Sequence, residues 1–298
     1  MVAGATGNLG GKIIDSLITK GAHVEALVRN ESNRESIAKL KAKGINVVEV
    51  NMTDKRDIAK VLKNVDCVIS ALAGLQEVIL DTQKSLLDAS VMAGVPRFIP
   101  SDFSIDFTDL IPGKNRNLDW RRTFHGYIND DQISATTIFN GAFTELLTGD
   151  MPLILFKLRR ILCWGDADMK LDFTTVDDVA HFTALTAMDS SSPRYLRVAG
   201  DRVSCSDLAY IATELTDKKF GILRPGGTGL LDILIKLTKR FSPEDGELYP
   251  AWQGMQYMRD MMEGRVIVDL YDNPRYPELH WTSIKSFLNS ENIKSRYH

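Results

Sequence analysis

Three glycines at a spacing of three, Gly4, Gly7 and Gly10, stand in the opening stretch MVAGATGNLGGK. Glycines so placed let a backbone come close to a bulky anion. A helix opening there presents free N–H groups and the positive end of its dipole. Together these suit a diphosphate. The spacing is G-x-x-G-x-x-G and not the commoner G-x-G-x-x-G, so the surroundings decide what the turn means. It follows a stub of strand, Met1 to Ala3. It opens a segment from Asn8 to Thr19 in which Leu9, Ile13, Ile14, Leu17 and Ile18 recur near helical spacing. The next apolar run, HVEALV, ends in Val28-Arg29-Asn30, with no carboxylate at its tip. A carboxylate there would bind the ribose 2′-hydroxyl of NAD, whereas the planar fork of Arg29 suits the 2′-phosphate of NADP. The residues therefore predict NADP(H) as cofactor.

The elements that must hold these residues follow from the same pattern. INVVEV (Ile45 to Val50), DCVISAL (Asp66 to Leu72) and RFIP (Arg97 to Pro100) read as strands. Helices are expected over Arg34 to Ala42, from an Asp54 cap through Leu62, and over Glu77 to Ala93. Strands alternating with helices imply right-handed crossovers and a parallel sheet. After Asp102 the rhythm breaks. Asp106 to Arg122 reads as a polar loop running into a helix, and ISATTIF (Ile133 to Phe139) as one more buried strand. Ser204 and Asp207 look like a capping pair. Trp164, Trp252, Met255, Tyr257, Met258, Met261 and Met262 could wall a pocket, but plain core is the favoured reading. The expected fold class is α/β: a Rossmann-type doubly wound parallel sheet with a smaller, mixed C-terminal lobe. The dinucleotide-binding domain is placed at 1–150 and the substrate or partner lobe at 151–298. A parallel core strand has about five residues, and only three precede Gly4, so residues ahead of Met1 are expected.

Bulk properties narrow the function. The chain has 298 residues, 44% hydrophobic and 25% charged, with a formal net charge of -3. No basic run suggests a nucleic-acid partner. Cys67, Cys163 and Cys205 are few and far apart, which fits a reducing compartment without a disulfide framework and offers no zinc spacing. No apolar run approaches the ~20 residues of a membrane span. A cytoplasmic protein without a metal and without a membrane partner is expected.

GATGNLG, LVRN, NVDCVISAL and above all AGVPRFIPSDF (Ala93 to Phe103) together resemble the NmrA-like and isoflavone-reductase-like branch of the atypical short-chain dehydrogenase/reductases. FTTVDDVA (Phe173 to Ala180) is similar to a later segment of that branch. The resemblance is clear from Met1 to about Phe143 and weaker beyond. It implies an NADP(H)-bound Rossmann domain in which Gly4, Thr6, Gly7, Asn8, Leu9 and Gly10 line the diphosphate and Arg29 holds the 2′-phosphate. Asn51 and Met52 would lie by the adenine. Ala71, Leu72 and Ala73 would run under the ribose, and Pro100, Ser101 and Phe103 would frame the nicotinamide. Gln83 matches a recurrent glutamine.

Catalytic residues are harder to place. Tyr127 lacks the Tyr-x-x-x-Lys partner, since Asp131 stands four residues on. The reductase branch uses a lysine whose place falls on Arg121, with Arg122 and Lys114 as neighbouring alternatives. Arginine keeps its proton at neutral pH and could hold an anion or oxyanion. His125 could shuttle protons. Asp102 lies just beyond a strand's carboxyl end, the usual ligand edge. Two functions stay open. One is an NADPH-dependent reductase of a small aromatic or quinone-like substrate. The other is a non-catalytic NADP(H) sensor that regulates a protein partner. The reductase is favoured because hydride transfer asks for positioning more than for a strong acid.

Overall fold

In the computed structural model, residues 1–149, 153–242, 246–264 and 271–291 are described. The expected domain boundary at 150–151 lies outside them. The chain forms two units. The first takes Met1–Phe103, Asn117–Ile138 and Val179–Leu196; the second takes Ser104–Arg116, Phe139–Asp178 and the chain from Arg197 onward.

The first unit alternates strand and helix: β1 (Val2–Ala3), α1 (Asn8–Thr19), β2 (Glu25–Arg29), α2 (Arg34–Ala42), β3 (Asn46–Val50), α3 (Lys55–Val61), β4 (Cys67–Ser70), α4 (Gln83–Met92), β5 (Arg97–Ile99), α5 (Arg116–Asp130) and β6 (Ser134–Ala135). The sheet runs β3-β2-β1-β4-β5-β6, with every neighbouring pair parallel. Strand order reverses between β1 and β4, the switch point where doubly wound sheets take ligands. The fold class is the one the sequence pattern predicts. Asp54 caps α3 by accepting from Arg56 N and Asp57 N, as expected. Leu27, Val68, Leu86, Leu87, Phe98 and Phe124 belong to one buried cluster.

Two elements depart from their predicted form. The expected helix Glu77–Ala93 begins as a π-helix, Glu77–Thr82, before α4. Here side chains take up main-chain carbonyls: Thr82 Oγ1 donates to Glu77 O and Gln83 Nε2 to Ile79 O. The expected strand Ile133–Phe139 is split. Thr136 N still donates to Phe98 O on β5, but Thr137 N donates to Arg194 O, so the strand changes partner and becomes β7 (Thr137–Phe139).

The second unit contains β8 (Ala142–Phe143), β9 (Ile154–Leu155), β10 (Arg160–Trp164) and β11 (Leu171–Thr174). Through α6 (Val176–Met188) and β12 (Tyr195–Arg197) the chain visits the first unit and returns. Then come β13 (Asp201–Val203), α7 (Cys205–Thr216), β14 (Gly221–Gly226), α8 (Thr228–Phe241), α9 (Ala251–Met262) and α10 (Ile284–Ser290). Two small mixed sheets run β14-β10-β9 and β13-β11-β8. Ser204 and Asp207 form the expected capping box on α7. On α9, Trp252 and Met262 are buried, and Met255, Met258 and Met261 pack on the core, so this set is core and not pocket wall. The helix's polar residues clasp the segment before α5: Asn115 Nδ2 donates to Asp260 Oδ2 at 2.8 Å, and Arg259 Nη2 to Lys114 O at 2.9 Å.

Gly4 has φ +79°, and a Cβ there would stand 2.4 Å from Ala71 O. Gly21 has φ +77° but open space around it. Either Gly→Ala change incurs left-handed strain of about 1–2 kcal/mol. Gly4→Ala adds a main-chain clash. Denaturant unfolding is expected to show a clearly larger loss for Gly4→Ala than for Gly21→Ala; equal losses would mean that the close approach to β4 carries no cost.

Candidate functional site

Because the six strands are parallel, their carboxyl ends share one edge. Gly4 follows β1, Arg29 ends β2, Asn51 follows β3, Ala71 to Ala73 follow β4, and Pro100 to Phe103 follow β5. The residues expected to bind a dinucleotide thus come together on this edge. The turn is tight: Gly7 N donates to Gly4 O at 3.0 Å, and a Cβ on Gly10 would sit 2.3 Å from Gly4 O. Gly7 is the N-cap of α1, with no side-chain cap and no acidic residue in the first turn. The helix therefore keeps its amide donors and positive dipole for an anion. Thr6, Gly7 and Asn8 are exposed, Leu9 is half-buried, and Gly10 is buried. The Arg29 side chain is exposed and makes no hydrogen bond or ion pair among the described residues. Asn51 is exposed, its Oδ1 accepting from Thr53 N and Oγ1, while the Met52 side chain belongs to the core beneath.

The end of β5 is fixed from several sides. Ser101 N donates to Gln83 Oε1 at 2.9 Å, and Ser101 Oγ to Leu72 O at 2.6 Å. The same Gln83 oxygen accepts from Ser70 Oγ at 2.6 Å, so one fully buried amide ties the ends of β4 and β5. Arg121, buried on α5, donates from Nε to Ser101 O at 3.1 Å and from Nη1 to Asn117 O at 3.0 Å. It acts as a strut for the β5 end. Arg122 pairs with Asp119, and Lys114 belongs to the second unit. A lysine does reach Tyr127, but it is Lys84 over the ring, 5.6 Å from the centroid, which leaves the phenol without the Tyr-x-x-x-Lys arrangement.

Asp102 and His125 meet. His125 Nε2 lies 2.6 Å from Asp102 Oδ2, both side chains being buried. Thr137 Oγ1 donates to the same carboxylate oxygen at 3.0 Å and accepts from Arg194 Nη1 at 2.8 Å. Burial pushes the Arg194 guanidinium below the usual arginine range, while Tyr195 and Asp102 oppose that shift. Asp102 Oδ1 and Arg194 Nε and Nη2 are buried without a hydrogen-bond partner among the described residues. An imidazole gripped by a carboxylate can hold a proton at Nε2. Thr137 and Arg194 escaped sequence reading. A threonine inside an otherwise apolar strand was a faint signal for the first; nothing local marks the second, 57 positions from its partner.

No group of three or more His, Cys, Asp or Glu side chains among the described residues could hold a metal ion. No helix among them is long and apolar enough to cross a membrane.

Breaking one partner of this buried pair strands the other, at a cost of about 1–3 kcal/mol. His125→Leu and Asp102→Asn are each expected to lower stability by that order, and the double variant to lose less than the sum. Strict additivity in a double-mutant cycle by urea unfolding would show that the pair is not coupled.

The NmrA-like family model matches residues 1–224. A bifunctional pinoresinol-lariciresinol reductase of Linum usitatissimum is 29% identical, with 97% of each chain covered. Among solved structures, that of AtPrR2 with NADP+ and (+)pinoresinol superposes with a TM-score of 0.79 at 23% identity, covering 97% of each chain. The NADPH-dependent quinone oxidoreductase QOR2 of Escherichia coli, complexed with NADPH, gives 0.74 at 20% identity over 98% of this chain and 99% of that one. At such identities these two structures speak for the fold. The family match spans most of the chain: the protein belongs to the NmrA-like family.

Proposed function

We propose that this protein is an NADP(H)-dependent reductase of a small aromatic or quinone-like substrate. The observation that carries the reading is the glycine cradle at the switch point: two positions where a Cβ has no room, an uncapped helix N-terminus, and at the tip of β2 an exposed arginine whose side chain has no partner among the described residues. These residues fit NADP(H). Gly4, Thr6, Gly7, Asn8, Leu9 and Gly10 would hold the diphosphate and Arg29 the 2′-phosphate. Asn51 would face the adenine side, Ala71 to Ala73 the ribose, and Pro100 to Phe103 the nicotinamide. When bound, the cofactor supplies hydride transfer. The chain's own part is to position the β5 end, through Gln83 and Arg121, and to keep a proton on His125 under the control of Asp102. Reductases of pinoresinol and quinone among the similar proteins support the aromatic substrate class.

One observation favours the second reading, a non-catalytic NADP(H) sensor acting on a protein partner. Arg121 stands where the resemblance puts the reductase lysine, and it spends donors on two main-chain carbonyls. The two readings share the cofactor and part at turnover.

Calorimetric titration with NADPH and NADH tests the shared step. NADPH is expected to bind more tightly. Arg29→Gln is expected to weaken NADPH about 10- to 100-fold, the loss of a charge-assisted contact, and to leave NADH unchanged. Equal affinities for the two would overturn the role of Arg29, and no binding of either would overturn the cradle. Loss of NADPH absorbance on adding quinones or aromatic carbonyls selects the reductase; tight binding without turnover selects the sensor.

A further inference from the structure

In the second unit, α8 carries two apolar faces where a helix packed on one side needs only one. Its inner face is settled by contacts. Leu231 and Ile235 belong to the core of that unit, Asp232 Oδ1 accepts from Arg259 Nη1 at 3.0 Å, and Lys239 Nζ stands 4.7 Å from the centre of the Trp252 ring. The other face is open. Leu230, Ile233, Leu237 and Phe241 follow one another at intervals of three or four residues, which lines them along one stripe. They are 42%, 53%, 47% and 78% exposed.

Positive charge runs beside the stripe. Lys236 and Arg240 lie three and seven residues after Ile233, on its flank of the helix, and both are exposed. Arg224 is exposed on β14, the strand that leads into α8. None of these three side chains makes a hydrogen bond or ion pair among the described residues. From Lys218 to Ser242 there are six Lys and Arg against one Asp, in a chain whose formal net charge is -3. That one carboxylate, Asp232, is taken by Arg259. Unpaired cations beside large exposed apolar side chains make the pattern of a helix lying in a lipid–water interface, apolar groups among the acyl chains and cations at headgroup level. The charge also discriminates among occupants. Two copies joined by this face would set Lys236 and Arg240 of each against a helix with no free carboxylate, and like charges repel. A protein partner would need an acidic rim and a groove cut to a convex stripe. A fluid anionic lipid surface meets both demands without a fixed shape.

We propose that this face of α8 docks the protein on an anionic phospholipid surface, with the Leu237 and Phe241 side chains inserted and Lys236 and Arg240 on the lipid phosphates. The expectation of no membrane partner rested on the absence of a span, and lying on a surface needs none. Leu231 and Ile235 stay packed in the core, so docking asks for no unfolding. The inference does not rest on the cofactor reading, and either can fail alone.

Cosedimentation of the full chain with vesicles tests this, using phosphatidylcholine alone and phosphatidylcholine with about one-third phosphatidylserine. The chain is expected to pellet with the anionic vesicles only, and to be released as salt is raised. Lys236→Gln with Arg240→Gln is expected to weaken partition about 30-fold, and Ile233→Ser with Leu237→Ser about tenfold or more. Met92→Ser, at an exposed apolar position of the first unit, is expected to bind as the parent does. All four α8 positions are exposed, so thermal melts of the variants are expected to match the parent. A Phe241→Trp variant gives a second readout, an emission blue-shift on anionic vesicles beyond that of the parent. Pelleting with neither vesicle, or equally with both, would overturn the proposal. So would parent-like binding by either folded double variant, or a dimer in sedimentation velocity that Ile233→Ser with Leu237→Ser dissociates, since the face would then belong to a second copy.

Discussion

The first unit depends on a place where three stretches of main chain nearly touch. The end of β1, the start of α1 and the end of β4 crowd together: a Cβ on Gly4 would stand 2.4 Å from Ala71 O and one on Gly10 2.3 Å from Gly4 O. This closeness is a packing constraint before it is a binding feature. It lets β1, only two residues long, pair with both β2 and β4 and still hand the chain directly to α1. The Met1 nitrogen donates to Cys67 O at 3.0 Å, and Ile69 N donates to Met1 O at 3.0 Å. The start of α1 carries no side-chain cap and no acidic residue in its first turn. The close packing of the turn and the proposed anion site therefore draw on the same glycines.

Much of this was legible in the sequence because it is local. The span of α1 and the caps at Asp54 and Ser204 follow from residue types within one helical turn of each other. That the sheet is parallel follows from alternation and handedness. What escaped was set by partners far along the chain. ISATTIF reads as one strand by its apolar content, yet its second half bonds to Arg194. The methionines of α9 read as core more readily than as pocket wall, and the packing of Met255, Met258, Met261 and Met262 bears that out. Gln83 shows the limit well. Its position was recognisable, but its work, joining Ser70 to Ser101 through one oxygen, depends on β4 and β5 being neighbours.

The candidate site divides along the same line. Its anion-binding half is a sequence motif, a turn whose chemistry is carried by glycines and backbone amides. Its other half is assembled from α5, the β5 end, β7 and the loop before β12, so spacing alone could not reveal it. Asp102 and His125 could be nominated singly, but a carboxylate and an imidazole become an acid–base unit only at 2.6 Å.

Arg121 illustrates how position redefines a residue's chemistry. A free guanidinium at the ligand edge could hold an anion. This one is buried, and donors on two of its nitrogens meet the carbonyls of Ser101 and Asn117. A lysine could not replace it as a strut, since a single ammonium lacks the fork that spans two acceptors on different segments. Arginine here exchanges proton-donating capacity for rigidity at the β5 end. Proton handling, if the edge requires it, then falls to the neighbouring pair. Burying a carboxylate and an imidazole together, with Asp102 Oδ1 left without a hydrogen-bond partner among the described residues, rarely adds stability compared with apolar packing. The pair stands beside a strand end already held by Gln83 and Arg121, where the proposed proton handling would use it.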